Sequence, residues 1–138
     1  MKLHIIRASH NSRRVLATVD HLGLDIEMVE PDFTKGGLKT SEFLAINPNG
    51  KAPALVDGDF ALWESNAIMQ YLASDTANTL WPEDRRARAD ITRWQFWESN
   101  HLSRGTGALA TERVFKPHVL KLETDEAVVE RGIAALHQ

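Results

Sequence analysis

The chain has 138 residues, 43% hydrophobic and 25% charged, with a net charge of −3 and no cysteine. That composition suits an ordinary globular protein; it offers no basic block for nucleic acid and no apolar run of about twenty residues for a membrane span. Without cysteine there is no disulfide, no thiolate metal site and no protein thiol nucleophile, so any thiol chemistry needs a thiol brought in by a ligand. Met1-Lys2-Leu3-His4 lacks a signal-peptide core, and a cytoplasmic location is expected.

Leu3-His4-Ile5-Ile6 predicts a short strand. Arg7 to Asn11 is polar and starts a helix whose apolar face is Val15, Leu16, Val19 and Leu22, with Gly23 as its C-terminal cap. Ile26 to Val29 alternates in polarity and reads as a second strand. Strand, helix and strand of this length make a βαβ unit, so the two strands should run parallel. Pro31 to Lys39 is a loop with Gly36-Gly37, and Thr40 or Ser41 caps a short helix through Ile46.

Asn47-Pro48 and Asn49-Gly50 are turn dipeptides. Ala54-Leu55-Val56 and Phe60-Ala61-Leu62 are apolar runs around Asp57-Gly58, a hairpin signal, and Pro53 opens the first run where a ladder N–H can be spared. Glu64-Ser65 supplies polar groups where a helical face of Ala67, Ile68, Tyr71 and Leu72 begins. A helix start carries free N–H groups and the positive end of the dipole, so it suits an anion. The same pattern also serves a hairpin simply capped onto a helix.

Beyond Ser74 to Thr79, which reads as a linker, no strand pattern remains. Glu83 to Leu102 is helix-forming, with Ile91, Trp94 and Trp97 apolar; Gly105 and Gly107 are expected to interrupt it, and Pro117 to end the helical stretch beyond them. Thr124-Asp125-Glu126 caps a last helix with an apolar stripe of Val128, Val129, Gly132, Ile133 and Leu136. The six histidines show no metal-ligand spacing, and no metal is expected.

The stretch from Asn47 to Ile68 resembles the glutathione-binding signature of the glutathione S-transferase family, and a weaker likeness covers nearly the whole chain. The resemblance implies an α/β fold: a thioredoxin-like βαβ-α-ββα domain over residues 1–75, then the beginning of an all-helical domain over 83–138. In that family several more helices bury such stripes, so the sequence is expected to be a fragment of a longer chain, or to pack its tail on a partner. The resemblance also makes Pro53 a cis proline, lets Ala52 offer its backbone to the cysteinyl part of glutathione, and gives the γ-glutamyl end to Glu64 and Ser65. Lys39 and Lys51 resemble residues that reach the glycine carboxylate; Leu38 stands where related proteins often have histidine. Read without the resemblance, both lysines are as readily solvated surface charges.

Ser9-His10-Asn11-Ser12-Arg13-Arg14 looks like the Ser-x-Asn-x-x-Arg pattern of the serine-type, phi-like and theta-like members. By that resemblance Ser9 activates the glutathione thiol, Ser12 is the reserve hydroxyl, and Arg14 supports the domain from within. A hydroxyl donor and a helix N-terminus both favour a thiolate over a thiol. The competing reading is that Ser9, Asn11 or Ser12 merely caps the helix. Trp94, Trp97, Asn100 and His101 fall on a helix that by resemblance borders the electrophile site; from the residues alone, core packing is preferred for the tryptophans and surface for His101. The implied function is glutathione transfer to a small electrophile, a detoxification chemistry, by a homodimer with glutathione as co-substrate. A non-catalytic glutathione-binding regulator and a glutathione-dependent peroxidase or reductase are the alternatives, the latter disfavoured by serine where thiol exchange needs cysteine.

Overall fold

The structure, a computed structural model, describes residues 1–75 and 78–137. The chain divides into two units, Met1–Pro82 and Glu83–Gln138. Among the described residues no helix is long and apolar enough to cross a membrane.

The first unit contains β1 (Lys2–His4), α1 (His10–Leu22), β2 (Glu27–Val29), a 3-10 turn (Phe33–Lys35), α2 (Ser41–Ile46), β3 (Ala54–Asp57), β4 (Phe60–Trp63) and α3 (Ser65–Ser74). The sheet order is β2-β1-β3-β4; β1 and β2 are parallel, as the βαβ reading requires, and the other pairings are antiparallel. Side chains alternate across the sheet. Leu3 and Leu55 therefore enter a core with Val15 and Val19 of α1 and Ile68 and Leu72 of α3, while His4, next along β1, meets Phe43 of α2 edge-on. The hairpin turn falls on Gly58 and Asp59, one residue later than expected, with Gly58 at φ +60°.

The first unit runs past residue 75. Asn78 Nδ2 donates to Ala73 O at 2.7 Å, and its Oδ1 accepts from Leu80 and Trp81 N–H, so this strap is tied back to α3. The expected linker at Ser74 to Thr79 includes residues 76 and 77, which lie outside the described residues.

The second unit corrects two expectations. Gly105 and Gly107 do not interrupt the helix. Helical backbone continues through α4 (Arg85–Trp97), wide π-type turns over Glu98–Leu102, α5 (Ser103–Ala110) and further π-type turns over Thr111–Leu120. Gly105 is there for close approach: a Cβ on it would lie 2.5 Å from Leu136 Cγ and 2.6 Å from the Gly132 carbonyl on α6 (Glu126–Leu136). Packing of α5 on α6 outweighs the usual helix cost of glycine, about 1 kcal/mol. Pro117 does not end the helix either; it lies inside the π-type segment, and the chain turns at Lys121, at φ +56°, whose N–H returns to Lys116 O.

The tryptophans are a third correction. Trp94 and Trp97 are 55% and 45% exposed rather than core residues. They pack on their own helix, edge-to-face with each other at 5.6 Å, with Trp97 stacked on His101 at 6.3 Å. Residues three or four apart on a helix are surface neighbours, which accounts for both contacts. The stripe on α6 splits: Val129 and Gly132 are buried, while Ile133 and Leu136 stay exposed.

Glu112 is 3% exposed and organises this unit. One carboxylate oxygen accepts the Asp125 N–H at 2.7 Å; the other lies 2.8 Å from Lys116 Nζ. Lys116 first, then the Asp125 N–H, hold its carboxyl below the ordinary carboxylate range. A depressed folded value means the fold favours the ionised acid. The stabilisation is present above the ordinary range and is lost as pH falls through it. Glu112→Gln should lower the melting temperature at neutral pH, with a gap to wild type that narrows in acid; a gap that is constant with pH would contradict this role.

Candidate functional site

The site is built where loops leave one end of the sheet. His4 pairs with Ala54, so the segment after β1 and the segment before β3 emerge side by side. The first leads through Ile5 and Ile6 to Ser9 at the head of α1. The second is Lys51-Ala52-Pro53, and the Ala52–Pro53 peptide is cis, as the resemblance implies.

The first turn of α1 sends its hydroxyls in two directions. Ser9 is the N-cap residue, with extended backbone (φ −75°, ψ 128°), and its side chain makes no capping bond. Its N–H donates to Ile6 O at 2.8 Å and its carbonyl accepts from Arg13 N–H at 3.0 Å. Its backbone is therefore held, while its hydroxyl has no capping partner among the described residues. Ser12 is fully buried, and its Oγ accepts the Ile6 N–H at 3.1 Å. Ser12 thus anchors the backbone that in turn anchors Ser9. Ser12→Ala leaves that buried N–H without a partner, a loss of about 1–3 kcal/mol of stability. Urea unfolding should show this loss; unchanged stability would contradict the structural role.

α3 begins beside the first turn of α1. Its N-cap, Glu64, sits at φ +75° and ψ 115°, a backbone region that non-glycine residues rarely adopt. Such a conformation costs on the order of 1–3 kcal/mol and persists only where the surroundings impose it. The Glu64 carboxylate is exposed and makes no capping bond. Ser65, the first residue of α3, is 8% exposed, and its Oγ lies 3.5 Å from Asn11 Oδ1.

The lysines border the turn before Pro53. Lys39 Nζ lies 3.5 Å from Asn49 O, and a Cβ on Gly50 (φ +59°) would meet that Nζ at 2.5 Å. Lys51 is next in the chain and is exposed. The turn itself is organised by buried Asn47, whose Nδ2 donates to Lys51 O at 2.7 Å and whose Oδ1 accepts the Asn49 N–H at 3.0 Å. Asn47 and Asn11 were not among the expected site residues. Asn47 had a signal in the Asn-Pro dipeptide; Asn11 had only its place in the Ser-x-Asn pattern.

The site therefore has a free hydroxyl at one helix N-terminus, a buried hydroxyl at a second, a cis proline edge, and two cations at a turn. Helix N-termini and lysines of this kind can hold carboxylates. Residues 1–74 match the family described as glutathione S-transferase, N-terminal domain. Glutathione S-transferase 3 of Zea mays is 40% identical over 134 residues, covering 95% of this chain and 60% of that protein. Among solved structures, glutathione transferase F2 of Populus trichocarpa superposes with a TM-score of 0.88 at 27% identity, over 98% of this chain and 64% of that one. A theta class glutathione S-transferase of Xanthomonas axonopodis pv. citri, solved with glutathione bound, superposes at 0.86 with 31% identity, over 98% of this chain and 64% of that one. The chain belongs to the glutathione S-transferase family, with a thioredoxin-like N-terminal unit followed by a helical one. It spans about three fifths of the length of the curated relatives it matches.

Proposed function

We propose that the chain binds glutathione along Pro53, keeps its sulfur ionised beside Ser9, and promotes its attack on a small electrophile. The observation that carries this reading is the meeting of two helix N-termini, Ser9 with an unspent hydroxyl and Ser65 joined to α1 through Asn11. In this reading the α-carboxylate lies on the Ser65 hydroxyl and the α3 amides, and Glu64 receives the α-ammonium. Ala52 pairs its backbone with the cysteinyl part, and Lys39 and Lys51 take the glycine carboxylate. The positive φ of Glu64 supports this reading, since such backbone strain gathers at ligand sites and a plain cap does not require it.

Catalysis is then electrostatic preorganisation. The protein donates a hydrogen bond to the thiolate, the carbon–sulfur bond forms, and the electrophile loses its leaving group or takes up a proton. Ser9 forms no covalent bond. The chain contains no cysteine, which favours conjugation over thiol exchange with the protein. Detoxification in the cytoplasm by a homodimer is the setting we assign; the exposed apolar residues Phe60 and Trp63 on β4 would suit the subunit contact alone. Retention on immobilised glutathione, followed by an absorbance assay against a panel of electrophiles, tests the reading. Retention with turnover is expected; retention without turnover on any electrophile would favour the regulatory alternative, and no retention would end both.

A further inference from the structure

We propose that Asn11, on the first turn of α1, positions Ser65 for the carboxylate end of glutathione. The inference rests on the glutathione reading above. Asn11 reaches Ser65 across 54 positions of sequence, at 3.5 Å, and this is the one hydrogen bond of its side chain among the described residues. Ser65 is 8% exposed, so little water is at hand to orient its hydroxyl.

A hydroxyl has one proton to give and can accept from two directions. In the free protein Ser65 gives its proton to Asn11 Oδ1. A bound α-carboxylate takes that proton instead. The carboxamide meets the change by turning over, so that its NH2 group donates to the Ser65 oxygen. The Ser65 hydroxyl then keeps Asn11 as its partner in both states, and once it turns to the carboxylate it is polarised by the donor behind it. Alanine offers neither bond. Aspartate accepts from Ser65 but has nothing to donate, and it adds a second negative charge beside that of the ligand.

A double-mutant cycle on the full chain tests this, with glutathione affinity read by titration calorimetry for wild type, Asn11→Ala, Ser65→Ala and the double variant. Asn11→Ala should weaken binding about 5-fold, the effect of one lost hydrogen-bond partner. The double variant should bind no more weakly than Ser65→Ala alone, because Asn11 acts through Ser65. Asn11→Asp should bind more weakly than Asn11→Ala. The pH at which the bound thiol ionises, followed by thiolate absorbance, should be the same in Asn11→Ala as in wild type. Additive losses would overturn the inference while leaving the glutathione site in place. So would a shifted thiol ionisation with affinity intact, which would put Asn11 at the sulfur. Failure of the wild-type chain to take up glutathione would instead remove the site, and this inference with it.

Discussion

Ser65→Ala is expected to weaken glutathione binding roughly 10- to 150-fold, the equivalent of ~1.5–3 kcal/mol for a hydrogen bond to a charged group. Two features set the effect within this range. Ser65 is nearly buried, so water is poorly placed to replace its hydroxyl, and its oxygen heads a ten-residue helix whose amides address the same anion. Deleting the hydroxyl leaves those amides, so some affinity survives. Stability should change little, because the bond lost in the free protein is the long contact to Asn11. Calorimetric titration measures the loss, and an affinity equal to wild type would remove the α-carboxylate from this helix end.

Ser9→Ala is expected to act on the sulfur instead. A free thiol with an ordinary pKa near ~8.5 is mostly protonated at neutral pH, and each pKa unit of depression is worth ~1.36 kcal/mol of preference for the anion. Loss of one preorganised donor to a reacting anion lowers turnover by on the order of 10²–10³-fold. The Ser9 hydroxyl is unspent in the free protein, so its removal costs the fold almost nothing. Turnover at neutral pH should fall about 100-fold, and the pH–rate profile should move to higher pH, because a thiol with fewer donors loses its proton later. Affinity for glutathione should stay close to wild type. An unchanged rate and an unmoved profile would take Ser9 out of the mechanism. The opposite pattern, an unmoved profile with lost affinity, would make it a binding residue only.

The parts of the candidate site that lie on one continuous stretch of chain carry a signal in the sequence. Pro53, Glu64 and Ser65 belong to one continuous turn–hairpin–helix string, and turn chemistry and helix polarity act over that range. Ser9 as the head of α1 is marked by the polar run before an apolar helical face. What remained hidden depends on contacts between distant segments. Ser12 is indistinguishable by type from Ser9, and only burial against Ile6 separates an anchoring hydroxyl from a free one. The Asn11–Ser65 contact joins α1 to α3 through the tertiary packing of the two helices. Nothing in the local sequence marks Glu112, yet the turn at Asp125 folds back onto it. Gly105 reads as a break until the approach of α6 explains it. In each case a residue's local preference was overridden by a neighbour that the sequence does not name.

The placement of the tripeptide itself is tested most directly by a crystal structure of the chain grown with glutathione. The sulfur should lie within hydrogen-bond distance of the Ser9 oxygen, the cysteinyl backbone should pair with Ala52 beside Pro53, and the α-carboxylate should rest on Ser65. An empty cleft at saturating glutathione, or a ligand whose sulfur points away from the head of α1, would contradict the account.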